Sequence, residues 1–283
     1  MDNMFFRTSY LPERRFNLML YLLIVFGLSW PFQVISVLGP NTMSWLCIFN
    51  SLSMIMVGVG TFICSTYVFK GGLANAGWRW GSRKYWFAAI GIPALLWLVP
   101  ALLDISFGNL HLPKKLTCSQ IAWIFEMLFV VLIPAFGEEI GWRGYMLPHL
   151  RKVMSPRKAV IWHGIIWYVW HMPLVGYAVF VSMRAESPEA GLPTILLVTA
   201  GALVAGSVVV VLDSAIFARL WAGSGSIAIA TVLHAASDGF RDSLMMTFDT
   251  SSGVIGTIFT PVMTVFIGAY CLWKTDSTTF HST

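Results

Sequence analysis

Apolar residues run along this chain in long unbroken blocks rather than in alternation, and a few polar residues interrupt them. A spanning helix needs about 20 predominantly apolar residues at 1.5 Å rise each. Eight blocks qualify: 16–38, 43–69, 85–103, 120–147, 158–182, 193–219, 222–240 and 254–273. Barrel strands are shorter and alternate, so the runs predict helices. The expected fold is an all-α, polytopic membrane protein of about eight transmembrane helices in one bundle. It fills residues 1–283 as a single integral membrane domain. The first block follows Arg7, Arg14 and Arg15. Its length exceeds that of a signal-peptide core and no small-residue cleavage site follows, so it is expected to remain as an anchor.

Composition agrees. Hydrophobic residues make up 57% of the 283 and charged residues 11%, with a mean hydropathy of +0.73. Soluble chains carry about 25% charged residues. A soluble enzyme, a disordered chain and a nucleic-acid-binding domain are thereby excluded. The net charge of +5 is of the kind that sits on cytoplasmic loops. With the N-terminus inside, the inner segments take fourteen of the 18 Lys and Arg, Arg143 included. The outer ones hold Lys114, Lys115, Arg184 and Arg241. Both termini are expected in the cytoplasm. The four cysteines, Cys47, Cys64, Cys118 and Cys271, form no CxxC pair and suggest neither disulfides nor a cysteine metal site.

Ionisable side chains inside spanning helices cost about 2.5–3.5 kcal/mol each on insertion scales and mark function by default. Three clusters stand out: Gly137-Glu138-Glu139-Ile140-Gly141-Trp142-Arg143, Trp167-Tyr168-Val169-Trp170-His171 and His234-Ala235-Ala236-Ser237-Asp238. Residues four apart share a helix face. Glu139 can therefore pair with Arg143, His234 with Asp238, and Trp167 stands one turn from His171. Glu138 is rotated about 100° from Glu139 and can face another partner. Counted from the inner helix ends, Glu138, His171 and His234 lie about 18–20 Å deep, at one level. Pro134 and Pro173 are expected to break their helices nearby, as a hydrated cavity would allow. Gly137 and Gly141 let a neighbouring helix come close.

A Glu and a His around one water can take its proton, and a second His can stabilise the oxyanion formed on a carbonyl. The same residue types are also ordinary zinc ligands. If a metal is present, Glu138, His171, His234 and Asp238 are its expected ligands. His163 is expected at the membrane interface, with a reserve ligand as the alternative. Glu126 and Asp213 read as structural or cavity residues.

At these residues the chain resembles the CPBP intramembrane proteases, the Abi or type II CAAX prenyl protease family. Glu138-Glu139-Ile140-Gly141-Trp142-Arg143 is similar to the EExxxR signature, Trp167-x-x-x-His171 to FxxxH, and His234-x-x-x-Asp238 to HxxxN. One such motif alone is weak; three in family order, over roughly 120–240, are specific. The resemblance implies a protease core at 120–240. It also implies endoproteolysis of a membrane-associated protein or peptide, CAAX-like, lipid-modified or membrane-inserted. Glu138 and His171 would activate water. Glu139, Arg143 and Trp167 would support the site, and His234 would stabilise the oxyanion with residue 238. No cofactor is required on a glutamate mechanism, with zinc the alternative. The expected partners are the substrate and the lipid bilayer, and no nucleic acid.

Two departures stand out. Trp167 replaces Phe and keeps an aromatic wall. Asp238 replaces Asn, and an ionised Asp cannot donate a hydrogen bond. Asp238 is then protonated, or orients His234 from behind, or ligates a metal; the second needs nothing unusual. Two competing readings are a non-catalytic bacteriocin-immunity or regulatory protein using the same pocket for binding, and a proton-coupled transporter using Glu126, Asp213 and Asp238.

Overall fold

Most of the apolar blocks become helices almost where the pattern puts them. The computed structural model describes residues 16–40, 42–113, 117–118, 121–122, 129–248, 250 and 252–275. Glu126, Lys114, Lys115 and the N-terminal arginines lie outside the described residues. Helix α1 is Leu18–Leu38, and α2 is Met43–Ile63, running on through a wider π turn at Cys64–Val68. Helix α3 spans Arg83–Ser106. Helix α4 comprises Leu132–Gly141, a π turn at Trp142–Met146 and Leu147–Arg151. Then follow α5 Pro156–Trp170, α6 Met172–Glu186, α7 Leu192–Ser224, α8 Ile227–Phe248 and α9 Val254–Trp273. Asn17 and Thr42 start α1 and α2 by accepting the N–H of Leu20 and Trp45. Pro148 has no N–H to give back to its preceding turn, and the π turn of α4 lies immediately before it.

Among the described residues, five helices are long and apolar enough to cross a membrane, six if α5 and α6 form one span. The all-α expectation holds; α4 and α8, which carry the polar motifs, stand outside that count of spans. The expected single span at 158–182 is instead two helices bent by 62° at His171. Pro173 explains the break: it sits in the first turn of α6, where its missing N–H costs nothing. Pro134 likewise lies in the first turn of α4. It starts that helix rather than kinking it.

Helix α4 lies between α2 and α8. Glycines bring α2 and α4 together. A Cβ at Gly58 would stand 2.9 Å from the Gly137 carbonyl oxygen, and one at Gly137 would stand 2.9 Å from Ile55 Cα. The expected close approach at Gly137 and Gly141 is therefore met, with α2 as the neighbour. Tyr21 on α1 donates its hydroxyl to the Gly141 carbonyl at 3.0 Å. The start of α8 is held by the α2–α3 loop, because Ile227 N–H donates to Gly77 O at 2.7 Å. Gly77 has φ +96°, which a side chain would disfavour. The buried Asp104 of α3 accepts the N–H groups of Ile255 and Gly256 and so caps α9.

Candidate functional site

The three motifs meet. Glu138 and Glu139 come from α4, Trp167 from the last turn of α5, His171 from the α5–α6 break, and His234 and Asp238 from α8. Glu138, Trp167, His171, His234 and Asp238 line one cavity of about 340 Å³, with Asp213 also on its wall. That is far more room than the roughly 30 Å³ of one water.

Glu138 is fully buried. Its Oε1 accepts the indole N–H of Trp142 at 3.2 Å and of Trp167 at 2.5 Å. Its Oε2 has no hydrogen-bond partner and stands 4.0 Å from His234 Nε2. Buried carboxylate oxygens are normally satisfied, so an orphan facing a cavity calls for a water or a ligand.

Glu139 turns the other way, as its rotation from Glu138 requires. Its Oε1 accepts from Arg143 Nη1 and from His234 Nδ1, both at 2.7 Å. The Arg143 guanidinium is fully buried between two aromatic faces, 4.3 Å from the Trp167 ring and 4.4 Å from the Phe217 ring. A buried ion pair is costly to desolvate unless geometry and neighbours compensate. Here one carboxylate oxygen and two ring faces compensate in part, while Arg143 Nε and Nη2 and Glu139 Oε2 have no hydrogen-bond partner among the described residues.

His171 Nδ1 lies 2.8 Å from the Trp167 carbonyl oxygen. A carbonyl only accepts, so Nδ1 carries a proton and the neutral ring keeps its lone pair on Nε2. His234 is held from both sides, with Glu139 at Nδ1 and Asp238 Oδ2 3.3 Å from Nε2. The residue behind His234 is therefore Glu139, and Asp238 stands on the cavity side. Arg241 Nη1 holds the other Asp238 oxygen at 2.9 Å.

Several residues were not anticipated. Trp142 and Arg241 sit four and three residues from their partners, a helical spacing that was legible. Phe217 comes from α7, and no local pattern pairs it with Arg143. Arg241, expected on an outer loop, holds Asp238 at the cavity instead, whereas Arg143 makes the expected pair with Glu139. His163, expected at the interface, is fully buried with Nδ1 2.8 Å from Ser214 Oγ. For zinc, the expected donors are Glu138, His171, His234 and Asp238. Among the described residues no three His, Cys, Asp or Glu side chains are grouped to hold a metal ion, although all four of these residues line the one cavity.

Residues 120–240 match the family model described as type II CAAX prenyl endopeptidase, Rce1-like. The matched segment is less than half of the chain and is similar to the CAAX protease family. The chain is also 36% identical over 93 residues to CAAX prenyl protease 2 of Methanococcus maripaludis. This match covers 30% of the chain and 34% of that archaeal relative, so the chain spans about a third of its length. The family segment contains all three motifs and every side chain described around the cavity except those from α2, α3 and Arg241.

Proposed function

We propose that the protein is an intramembrane endopeptidase that hydrolyses a peptide bond of a membrane-associated, CAAX-like or membrane-inserted protein. The observation that carries this reading is the Glu138 carboxylate. One of its oxygens is tied to two indoles; the other is buried, unpartnered and open to the cavity shared with His171 and His234.

In this reading a water lies between Glu138 Oε2 and His171 Nε2. One of these groups takes a proton as the water oxygen attacks the scissile carbonyl carbon. The carbonyl oxygen becomes an oxyanion, to which His234 Nε2 donates in place of Asp238, which keeps Arg241. Glu139 keeps the imidazole in register from Nδ1, and Asp238 and Arg241 fix the edge of the site. When the C–N bond breaks, the proton held on Glu138 or His171 passes to the leaving nitrogen. The products are a carboxylate and an amine. The groups are held before substrate arrives, so little reorganisation accompanies the reaction.

The test is cleavage of a fluorogenic prenylated CAAX-type peptide by purified protein in lipid nanodiscs. Glu138→Gln and His171→Ala are expected to lose at least about a hundredfold in kcat, in the range for a general base, with unchanged melting. Activity is expected to survive exhaustive chelation. Full activity in both variants, or activity that chelation abolishes and zinc restores, overturns the mechanism.

A further inference from the structure

A second cavity of about 440 Å³ adjoins the reaction cavity, within the size range of ligand pockets. Asn50, Met54 and Asp238 line both. The displacement between the two is consistent on all three walls. On α2 the second cavity reaches from Asn50 back to Cys47 and Ser44; on α4, from the level of Glu138 back to Pro134; on α8, from Asp238 on to Asp242. Four residues of helix are about 6 Å. The two cavities are thus stacked along the helix axes, and Asn50, Met54 and Asp238 form the ring between them.

Two members of that ring are accounted for. Met54 is buried packing, and Asp238 is engaged by His234 and Arg241. Asn50 is not. It is the eighth residue of α2, followed by Ser51 and Ser53, in a helix apolar enough to cross a membrane, where a carboxamide without a partner is costly. Its carboxamide makes no hydrogen bond among the described residues; only its main-chain carbonyl is used, by Ser53. A carboxamide both donates and accepts, which is what the main chain of an extended peptide requires. Such a peptide, taken from lipid or from water into this space, brings N–H and C=O groups that must find partners.

We infer that Asn50 is a substrate-binding residue. Its carboxamide hydrogen-bonds the main chain of a substrate segment that runs extended through both cavities, one or two residues from the scissile bond. This rests on the endopeptidase reading and adds to it a main-chain clamp supplied by α2, outside the three motifs.

The experiment measures binding apart from turnover. A fluorescently labelled peptide is titrated into the Glu138→Gln protein carrying Asn50, Asn50→Leu or Asn50→Ser, and KM and kcat are read in the corresponding Glu138 proteins. Asn50→Leu is expected to raise Kd and KM about tenfold, the worth of one hydrogen bond of ordinary strength, with kcat within twofold. Asn50→Ser, which keeps a donor and an acceptor, is expected to recover most of the loss. A series of peptides N-methylated at successive amides locates the contact. One position weakens binding to the Asn50 protein and has no further effect on Asn50→Leu. If Asn50→Leu binds and cleaves normally, or if methylation losses add to it at every position, the Asn50 assignment falls and the endopeptidase reading stands. If the protein neither binds nor cleaves any peptide tried while Asn50→Leu matches it, both fall together.

Discussion

Trp167 donates its indole N–H to Glu138 at 2.5 Å while its main-chain carbonyl takes the Nδ1 proton of His171 at 2.8 Å. One residue thereby positions both groups proposed to activate water. The same ring lies 4.3 Å from the Arg143 guanidinium. The motif that Trp167-x-x-x-His171 resembles has Phe at this position, which keeps the ring and the carbonyl but has no N–H.

Trp167→Phe therefore isolates the hydrogen bond. Glu138 keeps the Trp142 indole and Arg143 keeps its aromatic floor, so the variant is expected to fold and to bind peptide normally. Loss of one hydrogen bond to a charged group costs about 1.5–3 kcal/mol. Part of that is expected as a three- to tenfold fall in kcat at unchanged KM. Steady-state kinetics with a thermal melt check this. An unchanged kcat means that Trp142 alone suffices to hold Glu138.

The Glu139–Arg143 pair gives a prediction about stability. Removing one partner of a buried ion pair leaves the other unpaired and costs about 3–5 kcal/mol. Arg143→Met and Glu139→Leu are each expected to lower the melting temperature strongly. The double variant is expected to recover part of the loss, because neither charge is then stranded. It is not expected to recover cleavage, since His234 Nδ1 has lost its acceptor. A double-mutant cycle on melting, with activity read beside it, separates the two roles. Additive melting losses contradict the pairing.

How legible each contact is in the sequence depends on its range. Glu139 with Arg143, Glu138 with Trp142 and Asp238 with Arg241 are contacts within one helical turn, and periodicity reveals such pairs. The joining of Glu138 to Trp167 and of Glu139 to His234 depends on how α4, α5 and α8 pack, which spacing only suggests through a common depth. Phe217 and Asn50 come from helices with no motif, so nothing local marks them. The break at His171 was hidden because both halves are apolar; Pro173 signalled it, but as a kink within one span rather than as a new first turn.

The approach of α2 to α4 is a further point of leverage, because it depends on hydrogen atoms where other residues have Cβ. In Gly58→Ala the added carbon would stand 2.9 Å from the Gly137 carbonyl oxygen and 3.0 Å from Gly137 Cα, both backbone atoms. The helices have to separate, at a cost of about 1–3 kcal/mol for overpacking. Gly58 touches no proposed reacting group, yet the next residue but one after Gly137 is Glu139. Gly58→Ala is expected to lower both melting temperature and kcat. Gly27→Ala on α1, where a Cβ meets nothing within 4 Å, is expected to change neither. Equal behaviour of the two variants argues against this close packing.

The direction in which the second cavity opens is measurable with a native thiol. Cys47 lines that cavity and is partly exposed, whereas Cys64 and Cys271 are buried and Cys118 is exposed. With the N-terminus inside, as the Lys and Arg bias expects, α1 leads outward. The start of α2, and with it Cys47, then lies toward the outer face. In a Cys118→Ser background in intact cells, a membrane-impermeant maleimide is expected to label Cys47 from outside, and bound peptide is expected to slow that labelling. Modified protein is expected to lose peptide affinity, because the adduct fills space beside Asn50. Labelling only after the cells are opened reverses the orientation and puts substrate entry on the cytoplasmic face. Labelling that is insensitive to peptide separates the second cavity from the substrate path.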